Sequence, residues 1–281
     1  MAHHNIIIFS DLDGCLLDHH DYSFASAKPL LEKLKQLGIP LIINSSKTQM
    51  EIEKIQYQMA IDSPFIIENG AAIFFNYESK NKLYDMDDET LEKIDHYQIK
   101  KFAMFREALL AITNSIKAKH KFRYKGFSNM SSAQIAELTQ LSPEDAFAAG
   151  QRYFSEPVLW QDNQARLFQF KQLLSEYDIE LIEGGRFIHL CSHYSKGEAM
   201  QWLLQHWQLD NMAKKTVIAL GDSMNDVSML NNSDYAIVIK NNGNKIKVQG
   251  RFQTIYSSLP GTSGWVETLS TLLNQLIPMT R

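Results

Sequence analysis

The feature that most constrains this chain is a set of short, β-branched apolar runs that do not alternate with polar residues and that end abruptly in polar clusters. Ile6-Ile7-Ile8-Phe9 leads into Ser10-Asp11-Leu12-Asp13-Gly14, and Pro40-Leu41-Ile42-Ile43 leads into Asn44-Ser45-Ser46-Lys47. Thr216-Val217-Ile218-Ala219-Leu220 leads into Gly221-Asp222-Ser223-Met224-Asn225-Asp226, and Tyr235-Ala236-Ile237-Val238-Ile239 is a further run of the same kind. Apolar runs without alternation belong to strands covered on both faces. Between the first two runs the pattern predicts a helix over about Ser26–Leu37, with Leu30, Leu31, Leu34 and Leu37 on one face and Gly38 as its stop. Strand, helix and strand with short connections form the βαβ unit of a parallel sheet. The expected fold is a doubly wound, Rossmann-like α/β sheet.

Thr48 and Glu51 have capping-box spacing at a second helix start. Phe65-Ile66-Ile67 and Ala71–Phe75 read as strands around the turn signal Asn69-Gly70. From about Asp85 to Phe187 the character changes, and charged and aromatic residues mix with shorter apolar runs. Helices are predicted near Glu89–Ile112, Ser132–Leu141 and Asp162–Tyr177, and strands near Phe122–Phe127, Val158–Trp160 and Ile179–Glu183. Ser142-Pro143 marks a helix start, with an N-cap serine and proline at the first helical position. This stretch is expected to be an inserted α/β cap over residues 86–187, within a core built from 1–85 and 188–281. Ser195-Lys196-Gly197-Glu198 opens a helix as the core resumes.

The 281 residues are 44% hydrophobic, enough for a substantial core. A formal net charge of -4 argues against a nucleic-acid binder. No window approaches the roughly 18 apolar residues of a membrane span, and no signal peptide is evident. Cys15 and Cys191 form no metal-like or redox-like pair, which suits a reducing compartment. The expectation is a cytoplasmic protein whose partner is a small molecule; the oligomeric state is not defined, and His3-His4 is given no function.

Four polar clusters stand at predicted strand ends or helix starts, the edge at which open α/β sheets bind ligands. In Asp11-Leu12-Asp13-Gly14 two carboxylates leave one strand end; they repel and favour a cation, for which Mg²⁺ suits the oxygen ligands. One carboxylate can attack phosphorus while the other moves a proton. A solvated acidic turn is the competing reading. At Asn44-Ser45-Ser46-Lys47, the Ser45 hydroxyl and backbone N–H groups can hold phosphate oxygens, or can simply cap a helix. Lys196 opposes the dipole of the helix it starts, which an adjacent anion would offset; otherwise it is a surface lysine. Asp222 emerges where it could complete a cation site, with Asp226 one helical turn later, or the acids serve as an N-cap.

Taken in order, Asp-x-Asp-Gly, a strand-end serine, Lys-Gly and Gly-Asp-x-x-Asn-Asp resemble the haloacid-dehalogenase-like (HAD) phosphatase superfamily through nearly the whole chain. A closer resemblance, to the mannosyl-3-phosphoglycerate phosphatase family, rests on Asp18-His19-His20-Asp21-Tyr22-Ser23, Ser45-Ser46-Lys47-Thr48, Glu68-Asn69-Gly70-Ala71, Arg152-x-x-Ser155-Glu156-Pro157 and Gly184-Gly185-Arg186-Phe187. Position 15 is Cys where that family usually has Thr, and a small thiol should fit there.

The resemblance implies a Mg²⁺-dependent phosphatase. Asp11 would be the nucleophile that forms an aspartyl-phosphate, and Asp13 the acid and then base. Ser45, Ser46 and Lys196 would hold the phosphoryl group. Asp11, Asp222 and the Asp13 carbonyl would hold Mg²⁺, supported by Asn225 and Asp226. Lys47, Asn69, Arg152, Glu156 and Arg186 are the expected substrate contacts, arginine forks being suited to a carboxylate; salt bridges within the cap are the equal alternative for Arg152 and Arg186. The implied reaction takes mannosyl-3-phosphoglycerate to mannosylglycerate and phosphate. The alternatives are another sugar-phosphate phosphatase, a phosphomutase-like relative, or an inert phosphate-binding module. His19, His20, His189, His193, Trp202 and Trp207 are read as loop, strand or core residues.

Overall fold

The β-branched runs become strands because a parallel strand buried on both faces needs an apolar side chain at every position. In a computed structural model that describes residues 5–18, 21–76, 90–183, 186–207, 215–241, 243 and 246–277, they form β1 (Ile6–Ser10), β2 (Leu41–Asn44), β11 (Thr216–Gly221) and β12 (Tyr235–Lys240). With β3 (Phe65–Ile67), β4 (Ala72–Asn76), β5 (Glu92–Ile94), β6 (Tyr97–Lys101) and β13 (Gln253–Pro260) they make one sheet ordered β13-β12-β11-β1-β2-β3-β4-β6-β5. Pairing is parallel from β13 through β3, and antiparallel between β3 and β4 and between β5 and β6. The α/β fold expected from the sequence is present.

The chain leaves β1 for β2 on one side and returns through β11 on the other. That reversal is a switch point, where neighbouring connections diverge and leave a crevice. Register fixes what faces it: Ser10 lies opposite Leu220 on one side and Ile43 on the other. The residues that follow, Asp11, Asp222 and Ser45, therefore leave the sheet side by side.

Helix α1 (Lys28–Leu37) buries Leu30, Leu31 and Leu34 and ends at Gly38 in left-handed conformation, φ 66°. Helix α2 (Gln49–Met59) starts with the expected reciprocal pair: Glu51 N–H donates to Thr48 Oγ1 at 3.2 Å and Thr48 N–H to Glu51 Oε2 at 2.9 Å. The chain divides into two compact units, one of residues 1–46, 55–100 and 195–281, the other of 47–54 and 101–194. The expected junction at 85/86 lies outside the described residues.

The second unit has its own sheet, β7 (Tyr124–Gly126), β8 (Glu156–Trp160), β10 (Ile188–Ser192) and β9 (Ile179–Glu183) in that order, with antiparallel pairing. Helices α3 (Arg106–His120), α4 (Ser132–Thr139), α5 (Pro143–Gly150) and α6 (Gln164–Ser175) accompany it. Leu167, Phe170 and Leu174, spaced three and four apart on α6, enter a core with Leu109, Ile116, Phe122 and Val158. Ser142 caps α5 by accepting from Asp145 N–H.

One expectation is corrected. The stretch read as a helix over about Glu89–Ile112 is the hairpin β5–β6 followed by α3. Tyr97 and Ile99 obey the period of two and are buried, and the Tyr97 ring meets Phe65 and Phe74 edge-on. Asp95, φ 51°, makes the turn. The sequence reading also left unassigned β13 and the helix Gly261–Leu276, whose Trp265 is fully buried. No helix among the described residues is long and apolar enough to cross a membrane.

Candidate active site

The predicted acids and lysine converge at the crevice. Asp11 is 5% exposed and its N–H donates to Leu220 O at 3.0 Å, holding the loop after β1 against β11. Lys196 opens helix α7 (Lys196–His206), whose N-cap is Ser195, and is completely buried. Its Nζ lies 2.9 Å from Asp11 Oδ1 and 2.7 Å from Asp226 Oδ1. The alternative of a surface lysine is thereby removed.

Asp226 is also fully buried, and both of its oxygens are engaged. Oδ2 accepts from Asp222 N–H and Ser223 N–H at 3.0 Å each and from Ser223 Oγ at 3.2 Å. It therefore closes its own loop while aiming Lys196. Asn225 Nδ2 donates to Asn69 Oδ1 at 2.9 Å. Ser45 is buried at the end of β2, with Ser46 next to it half-buried. Asp13 is half-buried two residues beyond Asp11.

Electrostatics follow from this burial. Loss of water raises the Asp11 carboxyl to about 7; Asp226 adds to the rise and Lys196 offsets part of it. For Lys196, burial disfavours the charge, but Asp11 and Asp226 outweigh it and hold the ammonium above its ordinary range. Burial, then Asp11, Asp222 and Asp226, push the Cys15 thiol well up, so it stays protonated.

Asp11, Asp222 and Asp226 each bring a carboxylate oxygen within 4.8 Å of the others. Asp226 serves Lys196 and its own loop, so a cation would take its hard oxygen donors from Asp11 and Asp222. That donor set fits Mg²⁺.

Two contributors were not found from sequence. Asn241, just after β12, donates from Nδ2 to Asp222 Oδ2 at 2.7 Å. Ser10 Oγ donates to the Asp11 carbonyl at 2.7 Å and accepts from Trp265 Nε1 at 3.0 Å. Their only sequence signal was position at a strand end.

The remaining candidates lie in the second unit. Lys47 is 3.7 Å from Glu51. Arg152 Nη1 donates to Ser155 Oγ at 3.1 Å. Glu156, 1% exposed, takes Arg106 Nε at 2.7 Å on one oxygen and Ser128 N–H and Oγ at 2.9 and 2.7 Å on the other. Arg186 is exposed. His19, His20, Gly184 and Gly185 lie outside the described residues.

Comparison with known proteins agrees with this geometry. A family model described as haloacid dehalogenase-like hydrolase matches residues 8–258. A glucosyl-3-phosphoglycerate/mannosyl-3-phosphoglycerate phosphatase of Persephonella marina is 36% identical over 275 residues, covering 96% of this chain and 98% of that protein. A haloacid dehalogenase-like hydrolase from Bacteroides thetaiotaomicron has a similar structure, with TM-score 0.64, 16% identity and coverage of 95% and 98% of the two chains. The sucrose-phosphatase from Synechocystis sp. PCC6803, solved with sucrose and phosphate, aligns with TM-score 0.56, 16% identity and coverage of 96% and 98%. These two likenesses show the fold; the family model over most of the length and the 36% identical relative place the chain in the haloacid dehalogenase-like hydrolase family, as a phosphatase.

Proposed function

We propose that this enzyme hydrolyses a phosphomonoester through an aspartyl-phosphate on Asp11, and that its substrate is mannosyl-3-phosphoglycerate or the glucosyl analogue. The observation that carries the chemistry is the buried Lys196 ammonium held between Asp11 and Asp226 at 2.9 and 2.7 Å. A cation there offsets charge on a phosphoryl group placed beside Asp11. The substrate rests on the relative at 36% identity over 96% of the chain.

In this reading an Asp11 oxygen attacks phosphorus and the ester P–O bond breaks. Asp13 gives its proton to the leaving oxygen. Asp13 then takes a proton from water, which attacks phosphorus and releases Asp11 and inorganic phosphate. Ser45, Ser46 and Lys196 hold the phosphoryl oxygens. Asp226 aims Lys196, and Asn225 supports the same loop. Asp11, Asp222 and the Asp13 carbonyl would hold Mg²⁺, which supplies charge neutralisation when bound. Residues 86–187 would select the substrate, with Arg152 and Arg186 for its carboxylate and Lys47 and Glu156 as further contacts. Two cysteines, neither in a disulfide, fit a cytoplasmic setting.

Phosphate release with Mg²⁺ across sugar phosphates and glycosyl-3-phosphoglycerates, with Asp11→Asn in parallel, tests both parts. Preference for glycosyl-3-phosphoglycerates is expected. Turnover that excludes them would refute the substrate; an isomer formed without free phosphate would mean a mutase; full activity in Asp11→Asn would refute the nucleophile.

A further inference from the structure

The turn between β3 and β4 has an unusual backbone. Three successive residues take positive φ: Glu68 at 46°, Asn69 at 66° and Gly70 at 103°. Two of them carry side chains, and Glu68 is 1% exposed. Left-handed backbone at residues bearing a Cβ persists only where the surroundings over-determine it, and such strain concentrates at functional sites.

Here the surroundings are three separate segments of the site. Asn69 N–H donates to Ser45 O at 2.8 Å, fixing the loop after β2. Asn69 Oδ1 accepts from Asn225 Nδ2 at 2.9 Å, fixing the loop after β11. Asn225 Oδ1 in turn accepts from Ser223 Oγ, which also reaches Asp226. Gly70 packs on the start of α7: a Cβ there would stand 2.3 Å from Ser195 O and 2.7 Å from Lys196 N. Asn44 Nδ2, one residue before Ser45, donates to Lys196 O at 3.0 Å. The turn adds to the bonds that Asn44 and Asp226 make with Lys196, so that all three segments meet at one point.

We infer that Asn69 is a positioning residue: from one left-handed site its amide and side chain hold the Ser45 loop and the Asp222–Asp226 loop in register, while its neighbour Gly70 seats the Lys196 helix. The inference rests on the proposed roles of Ser45, Lys196 and Asp222. It differs from the expectation that Asn69 touches the substrate, because its side-chain oxygen already serves Asn225.

Asn69→Gly isolates the side-chain link, since glycine keeps the backbone conformation and the N–H bond to Ser45. Loss of one hydrogen bond predicts a roughly 3- to 10-fold fall in kcat. A positioning role predicts the same factor for p-nitrophenyl phosphate and for glycosyl-3-phosphoglycerate, with KM nearly unchanged for both. It also predicts that Asn69→Gly combined with Asn225→Ala is no worse than the poorer single variant. A defect confined to KM for the glycosyl substrate would overturn the inference, as would additive losses or wild-type kcat. Asn69→Asp keeps an acceptor and tolerates left-handed backbone, so it should stay near wild type even if Asn69→Gly does not fold; a loss in it equal to that of Asn225→Ala would also overturn the inference. Asp11→Asn is run on both substrates: if it keeps activity, the proposed chemistry has failed, whereas an inactive Asp11→Asn with a normal Asn69→Gly fails the positioning role alone.

Discussion

Gly221→Ala should disable the site without touching a charged residue. A Cβ at position 221 would stand 2.5 Å from both Cβ and Cγ of Asp226 and 2.7 Å from its Oδ2. Nonbonded carbons rest about 3.5–4 Å apart, so the Asp226 carboxylate must move by roughly 1 Å. It cannot do so and keep its bonds, because Oδ2 accepts from two backbone N–H groups and Ser223 Oγ while Oδ1 holds Lys196 at 2.7 Å. Overpacking of this kind costs about 1–3 kcal/mol, and each lost hydrogen bond about 1 kcal/mol more, so a loss of about 2–4 kcal/mol is expected. Turnover should fall roughly 10²–10³-fold, the size seen when a pre-aimed charge-stabilising group is displaced. Gly38→Ala is the control. Its φ is 66° with nothing within 4 Å of the added carbon, so it should cost about 1 kcal/mol of backbone strain and no activity. Chemical denaturation and phosphate release on both variants decide the matter. Gly221→Ala with the stability and kcat of wild type would refute the claim that Asp226 is held in one place.

Lys196→Met removes the buried ammonium held between Asp11 and Asp226; without added metal the denaturation midpoint at pH 8 should fall by the equivalent of about 3–5 kcal/mol, and an unchanged midpoint would show that Lys196 is not balancing those acids. Burial, then the Arg152 charge, lowers His189 from 6.5 to about 4, so between those values the unfolded chain binds a proton that the folded chain refuses. Stability is then complete above about pH 6.5 and falls toward pH 4 by at most about 3 kcal/mol, and denaturation of His189→Gln against pH should lack that segment of the slope. Trp265→Phe deletes the donor to Ser10 Oγ at 3.0 Å, so kcat should fall roughly 2- to 10-fold through the Asp11 carbonyl that Ser10 holds. Ser10→Ala should not add to that loss, and full additivity would break the proposed link.

What could be read in advance followed from how the parallel sheet is made. β1, β2, β11 and β12 are buried on both faces, so their composition is continuous, and the change to polar residues at Asp11, Ser45 and Asp222 marks the edge. Ser142, Ser195 and Thr48 were legible because a cap is a local device of a few residues. Residues 92–101 were misread because Ile94 and Tyr97 are three apart, a helical spacing, while the alternation of Tyr97 and Ile99 is a single period, and the turn at left-handed Asp95 has no strong local signal. Trp265 bonds Ser10 across 255 positions, Asn225 meets Asn69 across 156, and Arg106 pairs with Glu156 across 50. No local pattern encodes such partners; they exist only once the topology has brought a helix to a strand or two strand-end turns together.

The same topology explains why the site sits in electrostatic tension. Asp11, Asp222 and Asp226 are at most 5% exposed, and Lys196 bonds two of them, Asp11 and Asp226. Three carboxylates that bring oxygens within 4.8 Å of one another repel where water screens them poorly. The folded chain alone relieves part of this by favouring the proton on Asp11, whose carboxyl titrates near 7. A protonated Asp11 is a poor nucleophile, so whatever brings positive charge to the crevice also returns Asp11 to the form that can attack. The destabilising arrangement and the reactive one are therefore the same arrangement. Uncharged replacements would relax the fold and silence the chemistry together, which is the trade expected where activity requires buried charge.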